Sequence, residues 1–201
     1  MTGPVLAFAA VILYAALHSA LASPWAKAAT RRAFGEAADR WYRLAYNVIG
    51  VVTLLPVLAV PALEPGRTLY AVPLPWSAFM VAGQLAAAGV VALGLLQTDV
   101  WHFLGLRQLV ETGKGGPSRF VATGLYSYVR HPLYTAGLVF LWLTPVLTTT
   151  LMALFAGLSL YLYVGSVFEE RRLLAEFGQP YAEYQRLVPR LIPRLRRPAP
   201  P

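Results

Sequence analysis

Apolar residues in this chain are gathered into five long runs, and charge is confined to the gaps between them. The runs cover residues 4–21, 44–63, 74–96, 132–147 and 150–168. A helix crosses a bilayer with about 20 apolar residues, so each run reads as a membrane span, the fourth being short. Residues 144–150 join the last two runs without a charge, which predicts a tight helical hairpin there. The fifth helix is expected to outlast its membrane run, continuing to Phe177, with Gly178 just past its end and Pro180 as a stop. Residues 111–124 hold four glycines and a proline and read as a loop. The prolines at 189, 193, 198, 200 and 201 keep the tail from forming one long helix. No basic residue precedes the first run, as a signal peptide would require, and no repeat of fixed period is evident.

Composition sharpens this picture. Of 201 residues, 57% are apolar and 13% charged, and the mean hydropathy is +0.54. Soluble domains run at about 45–50% apolar and about 25% charged. An ordinary soluble globule and a disordered chain are both excluded. The expected fold class is therefore all-α, an integral membrane helical bundle of about five transmembrane helices. Cysteine is absent, which removes disulfides, thiolate nucleophiles and Cys-ligated metals.

The net charge of +8 raises the question of nucleic acid. Placement answers it. The successive gaps and the tail carry five, one, four, none and seven of the Lys and Arg residues, so 16 of the 17 fall on alternate gaps. The positive-inside rule puts that side in the cytoplasm. The N-terminus is then outside and the C-terminus cytoplasmic, in a bacterial inner membrane. Anionic lipid headgroups, not nucleic acid, are the expected partners of the basic excess.

Three constellations on the cytoplasmic side could carry chemistry. Arg130-His131-Pro132-Leu133-Tyr134 stands at the start of the fourth helix, where Pro132 suits the first helical position. Arg and imidazole beside a helix N-terminus read either as a receptor for a carboxylate or phosphate, or as a headgroup-binding Arg next to a capping His. Glu169-Glu170-Arg171-Arg172 marks the inner end of the fifth helix. Its carboxylates read either as acceptors for ribose hydroxyls, an ammonium or a sulfonium, or as a solvated pair with Arg172. The third runs from Phe177 to Pro193, with Tyr181, Tyr184 and Val188 on one helical face. It reads as an interfacial amphipathic segment or as a lid whose aromatics cover a cofactor.

Three weaker candidates remain. His18 lies near the inner end of the first helix, and Asp99 and His102 stand three residues apart beyond the third. A metal would need a third ligand that the spacing does not offer, so no metal is expected. An Asp-oriented His is the better reading of that pair.

Taken together, the order of these motifs resembles the isoprenylcysteine carboxyl methyltransferase and phospholipid methyltransferase superfamily. The residues that carry the likeness are 124–137, including Arg130-His131-Pro132-x-Tyr134-x-x-Gly137, then one helical hairpin, Glu169-Glu170, Phe177-Gly178, Tyr181, Tyr184 and Val188-Pro189. Leu17-His18-Ser19 and Arg43-Leu44-Ala45-Tyr46-Asn47 are similar to the branch that holds NnrU-like proteins and methanethiol S-methyltransferases.

The resemblance implies a membrane enzyme that binds S-adenosylmethionine in a cytosol-facing C-terminal segment. Its methyl acceptor would be a lipophilic or small molecule (a thiol, carboxylate or amine) entering from the bilayer. It implies cofactor contacts from Gly124, Leu125, Tyr126, His131, Pro132, Tyr134, Gly137, Tyr181 and Tyr184. Arg130 with Glu169 or Glu170 would lie near the transferred methyl, and His18, Asp99 and His102 are candidates on the acceptor side. The chain would form one membrane domain, with a three-helix part at residues 1–96 and the catalytic part at 97–201. Two alternatives are a non-catalytic NnrU-like accessory protein and an NADPH-dependent sterol-type reductase.

Overall fold

Uninterrupted apolar sequence leaves a helix nothing to do with its backbone polar groups except pair them internally, and the long runs duly form helices. The computed structural model describes residues 2–97, 100–110 and 120–194. In chain order the elements are α1 (Thr2–Ala22), α2 (Pro24–Phe34), α3 (Ala37–Leu63), β1 (Thr68–Ala71), α4 (Trp76–Gln97), α5 (Val100–Leu104) and α6 (Arg107–Val110). A single 3-10 turn (Gly124–Ser127) precedes α7 (Pro132–Trp142), β2 (Val146–Thr148), α8 (Thr149–Phe177) and α9 (Gln179–Leu187). Helices α1, α3, α4 and α8 are long and apolar enough to cross a membrane. The protein is an all-α integral membrane protein.

Two elements differ from the sequence pattern. The fourth apolar run makes a helix of only 11 residues, about 16 Å at 1.5 Å per residue, which is half a bilayer core. The rest of that run is extended. Residues of β2 pair antiparallel with β1, Tyr70 opposite Leu147 and Ala71 opposite Val146. The junction is therefore a helix–strand–helix connection and not a tight helical hairpin. Pro145 and the β-branched Val146 and Thr148 favour that extended course. The second unpredicted element is α2. Ser23 caps it, its Oγ accepting from the Ala26 N–H at 3.2 Å, and Pro24 takes the first position.

The chain divides into two compact units. One comprises residues 1–71, 99–115 and 146–158. Within it, α1 packs on α3, and Gly157 of α8 faces Val11 and Phe8 of α1. The other comprises residues 72–98, 116–145 and 159–201. Here α4 packs along α7, and a Cβ on Gly94 would stand 2.6 Å from the Leu133 side chain. A glycine there gives the Leu133 side chain room against α4, as small residues commonly do where membrane helices touch. The end of α8 follows the sequence expectation. The helix stops at Phe177, Gly178 takes φ +61 and its N–H donates to Leu174 O. A left-handed residue at that point turns the chain at no steric cost and starts α9.

Candidate functional site

The second unit gathers its charged and aromatic residues around the start of α7. Pro132 fixes the first helical position, so Arg130 and His131 are held in the non-helical stretch just before it. That stretch is zipped to the C-terminal segment. The Arg130 N–H donates to Pro189 O at 2.9 Å, the His131 N–H to Arg190 O at 3.1 Å, and the Arg194 N–H to Tyr128 O at 3.2 Å. Thr135 Oγ1 adds a bond to Leu191 O at 2.7 Å. Residues after α9 are thus docked by backbone hydrogen bonds to the stretch before α7.

Side chains lock the same junction. Glu170 is 3% exposed, and every part of its carboxylate is used. Oε1 accepts from Arg130 Nε at 2.7 Å and lies 3.1 Å from His131 Nε2. Oε2 accepts from Gln185 Nε2 at 3.2 Å and Arg190 Nε at 3.1 Å, with Arg190 Nη2 at 3.0 Å. Arg130 spends Nη1 on the carbonyls of Gln185 and Val188. One buried carboxylate facing two guanidiniums is stable only with this degree of hydrogen bonding, because desolvation of the charges must be offset.

Glu169 is different. Its side chain is 36% exposed. Oε2 accepts from Tyr134 OH at 2.8 Å and lies 3.7 Å from His131 Nδ1. Oε1 makes no hydrogen bond among the described residues. The His131 ring stacks on Tyr134, with centroids 5.2 Å apart and planes 14° from parallel.

A cavity of about 220 Å³ opens beside these groups. Arg130, His131, Pro132, Tyr134 and Glu169 form its polar side, and Phe120, Tyr126, Tyr181 and Tyr184 its aromatic side. The aromatics belong to a small core. Tyr181 is 2% exposed, and Phe120 meets Phe177, Tyr181 and Tyr184 with centroids between 5.2 and 5.6 Å. Tyr184 OH donates to Tyr126 O at 2.7 Å. Burial first, then the Glu170 carboxylate, pushes the Tyr181 hydroxyl up to about 12. Burial also raises Tyr184, with Tyr181 next among the causes, and raises Tyr126, with the Glu169 carboxylate second. All three are neutral hydrogen-bonding walls at physiological pH.

The expected site residues fall into groups. Arg130, His131, Pro132, Tyr134, Glu169, Tyr126, Tyr181 and Tyr184 converge on the cavity, and Glu170 stands directly behind its wall. Gly124, at φ +63, and Leu125 shape the turn that carries Tyr126. Gly137 lies against Leu162 of α8 and does not line the cavity. His18 belongs to the other unit, where its Nε2 shares a hydrogen bond with Tyr46 OH and its ring stacks on Tyr14 at 5.4 Å. Asp99 lies outside the described residues, and of His102 only the backbone, in α5, is described. Phe120, Gln185 and Arg190 were not singled out from the sequence. Arg190 could have been found, since it follows the Val188-Pro189 motif directly.

The start of α7 thus brings an arginine and an imidazole against the two carboxylates at the end of α8, beside an aromatic C-terminal segment, in an integral membrane protein. No protein-family model matches the chain, and no solved structure matches it. Curated proteins do. Methanethiol S-methyltransferase of Pseudomonas sp. is 31% identical over 189 residues, 92% of this chain and 71% of that protein. The one from Crocosphaera subtropica is 34% identical over 128 residues, 59% of this chain and 50% of its own length. Methanethiol S-methyltransferase 2 of Bradyrhizobium diazoefficiens is 39% identical over 100 residues, 48% and 39% respectively. The match thus spans half or less of the last two relatives. The chain belongs to the methanethiol S-methyltransferase family, within the isoprenylcysteine carboxyl methyltransferase-like membrane proteins.

Proposed function

We propose that the protein is an S-adenosylmethionine-dependent methyltransferase whose acceptor is a small thiol of the methanethiol type. The observation that carries this reading is one cavity that offers both charges the cofactor needs and an aromatic wall. A carboxylate of the ligand matches Arg130, His131 and the start of α7. An ammonium or sulfonium matches Glu169, whose Oε1 is open, and the faces of Tyr126 and Tyr181. At about 220 Å³ the cavity is smaller than the ~300–1,000 Å³ of a complete ligand pocket, so it fits one end of such a cofactor.

When bound, S-adenosylmethionine supplies a methyl group on a sulfonium sulfur, and net transfer to a thiol gives a thioether, S-adenosylhomocysteine and one proton. The chain's part is to position and to exclude water. In this reading Glu169 is the carboxylate that meets the ligand, oriented by the Tyr134 hydroxyl. Glu170 is a positioning residue. Glu170 touches five donor atoms of the protein and none of the cavity, and holds Arg130, His131 and Arg190 in place. The basic residues on alternate gaps support a cytoplasmic face for this site in a bacterial inner membrane, with the N-terminus outside.

The test is turnover by the purified full chain with methyl-labelled S-adenosylmethionine and a panel of methanethiol, a long-chain thiol, a carboxylate and an amine. Labelled dimethyl sulfide as the favoured product supports the reading. Transfer only to a carboxylate or amine contradicts the acceptor class, and no transfer to any member contradicts the enzyme.

A further inference from the structure

Methyl transfer to a thiol releases a proton, and some group at the site has to receive it. A thiol is mostly protonated at neutral pH, with a pKa of about 8.5 for a cysteine side chain, whereas the thiolate is the nucleophile. The groups that face the cavity differ in what they can take. Arg130 has no lone pair to offer. Burial, before any other cause, raises Tyr126, Tyr181 and Tyr184, so they keep their protons. The Tyr134 hydroxyl is spent on Glu169 Oε2. Glu169 has an open Oε1, but a carboxylate is a far weaker base than an imidazole. His131 is left.

His131 is 7% exposed and lines the cavity. Its two nitrogens face different carboxylates. Nε2 lies 3.1 Å from Glu170 Oε1, behind the cavity wall. Nδ1 is on the side of Glu169, which lines the cavity, and its 3.7 Å to Glu169 Oε2 is beyond hydrogen-bond reach. Nδ1 makes no hydrogen bond among the described residues. Glu170 decides the tautomer. A carboxylate held by Arg130 and Arg190 is ionised and can only accept. Nε2 therefore carries the proton of the neutral ring, and Nδ1 keeps a lone pair. Tyr134, stacked on the ring, holds its plane.

We propose that His131 is the general base of the reaction, with Nδ1 taking the thiol proton. This rests on the methyltransferase reading and narrows it, because the ligand's carboxylate then falls to Arg130 and the start of α7. The S–H bond breaks toward Nδ1, and the pair it leaves on the thiol sulfur forms the new bond to the methyl carbon. The pair of the old carbon–sulfonium bond stays on the departing sulfur. The imidazolium later gives its proton to water. Positive charge leaves the sulfonium and reappears on the ring, so Glu169 faces one cation before transfer and one after. A buried carboxylate that fixes the tautomer of a histidine base is the logic of the hydrolase triads.

The tautomer is tested without any turnover. The chain has three histidines, so ring-15N-histidine labelling of the full-length protein gives three pairs of nitrogen signals, assigned with His18→Gln and His102→Gln. At neutral pH His131 should show an N–H at Nε2 and a pyridine-type Nδ1. A proton on Nδ1, alone or in a doubly protonated ring, overturns the proposal. The catalytic role is tested with His131→Gln, whose amide can still donate to Glu170, on methanethiol and methaneselenol. A selenol is far more acidic than a thiol and is already ionised at neutral pH. The variant should lose about 10²–10⁴-fold in kcat/KM with methanethiol and stay within a few-fold of wild type with methaneselenol. That retained activity also shows that the variant is folded. Equal losses with both acceptors, or methanethiol turnover that survives the substitution, overturn the proposal and leave the methyltransferase reading standing. Absence of both products with the wild type removes the enzyme reading and this proposal with it.

Discussion

The two units solve opposite problems with similar raw material. In the first, α1 and the part of α3 from residue 48 on are apolar, and His18 Nε2 and the hydroxyls of Tyr42 and Tyr46 are hydrogen-bonded within the unit. In the second, the end of α8 and the segment after α9 bring a buried glutamate, two arginines and a histidine into one cluster. An isolated charge in that setting costs several kcal/mol, so such a cluster persists where a ligand or a docked segment needs it. The contrast teaches that what separates the two units is where the charge lies: exposed ion pairs in the first, one buried carboxylate among three basic side chains in the second.

The sharpest way to break the comparison is to remove the carboxylate on which the cluster turns. Glu170→Ala leaves Arg130 and Arg190 facing each other without compensation, which costs about 3–5 kcal/mol for a buried pair. We expect the thermal midpoint in detergent to fall, and trypsin to cut after Arg186 and Arg190 under conditions where the wild type is intact. Conversely, a normal melting profile would mean that the segment after α9 is not held by this cluster.

Alkaline pH tests the aromatic half of the same segment. Tyr181 has its hydroxyl pushed up to about 12 from the ordinary 10, and Tyr184 moves in the same direction. An unfolded tyrosine ionises first, so the docked segment keeps its full stability below pH 10. It loses stability as pH rises from about 10 to about 12, by about 3 kcal/mol for Tyr181 alone. Tyrosinate absorbance at 295 nm should therefore appear together with protease sensitivity, and Tyr181→Phe should keep the segment docked at higher pH.

Glu169→Gln sharpens the division of labour between adjacent carboxylates. Glu169 is one-third exposed and has one open oxygen, so its loss should leave the melting temperature close to wild type. Loss of a charge-assisted contact to a ligand corresponds to about 1.5–3 kcal/mol, a ten- to hundredfold drop in cofactor affinity. In the first unit, Tyr46→Phe removes the hydroxyl that bonds His18. A cost of about 1 kcal/mol in stability with unchanged cofactor affinity is expected, and a cofactor defect there would dissolve the distinction between the units.

Much of this was legible in the chain because membrane spans and caps depend on local pattern. The runs around α1, α3, α4 and α8, the stop at Gly178 and the proline start of α7 all follow from spacing that a single sequence displays. What was not legible depends on distance along the chain. The pairing of β1 with β2 joins residues about 80 apart, so an apolar run alone could not separate strand from helix at 146–148. Helix α2 was hidden by its mixed composition, although Ser23-Pro24 carried a start signal. At the site, RHPxY and the glutamate pair announced themselves. The unequal burial of Glu169 and Glu170 did not, since neighbouring residues in a helix point about 100° apart and the partners that enclose Glu170, namely Arg130, His131, Gln185 and Arg190, come from segments distant in sequence.

Calorimetric titration with S-adenosylmethionine tests the account most directly, using wild type, Glu169→Gln and, as the competing cofactor, NADPH. The account predicts that S-adenosylmethionine binds the wild type, binds Glu169→Gln at least tenfold more weakly, and that NADPH does not bind. Binding of NADPH alone, or S-adenosylmethionine affinity indifferent to Glu169, would contradict it.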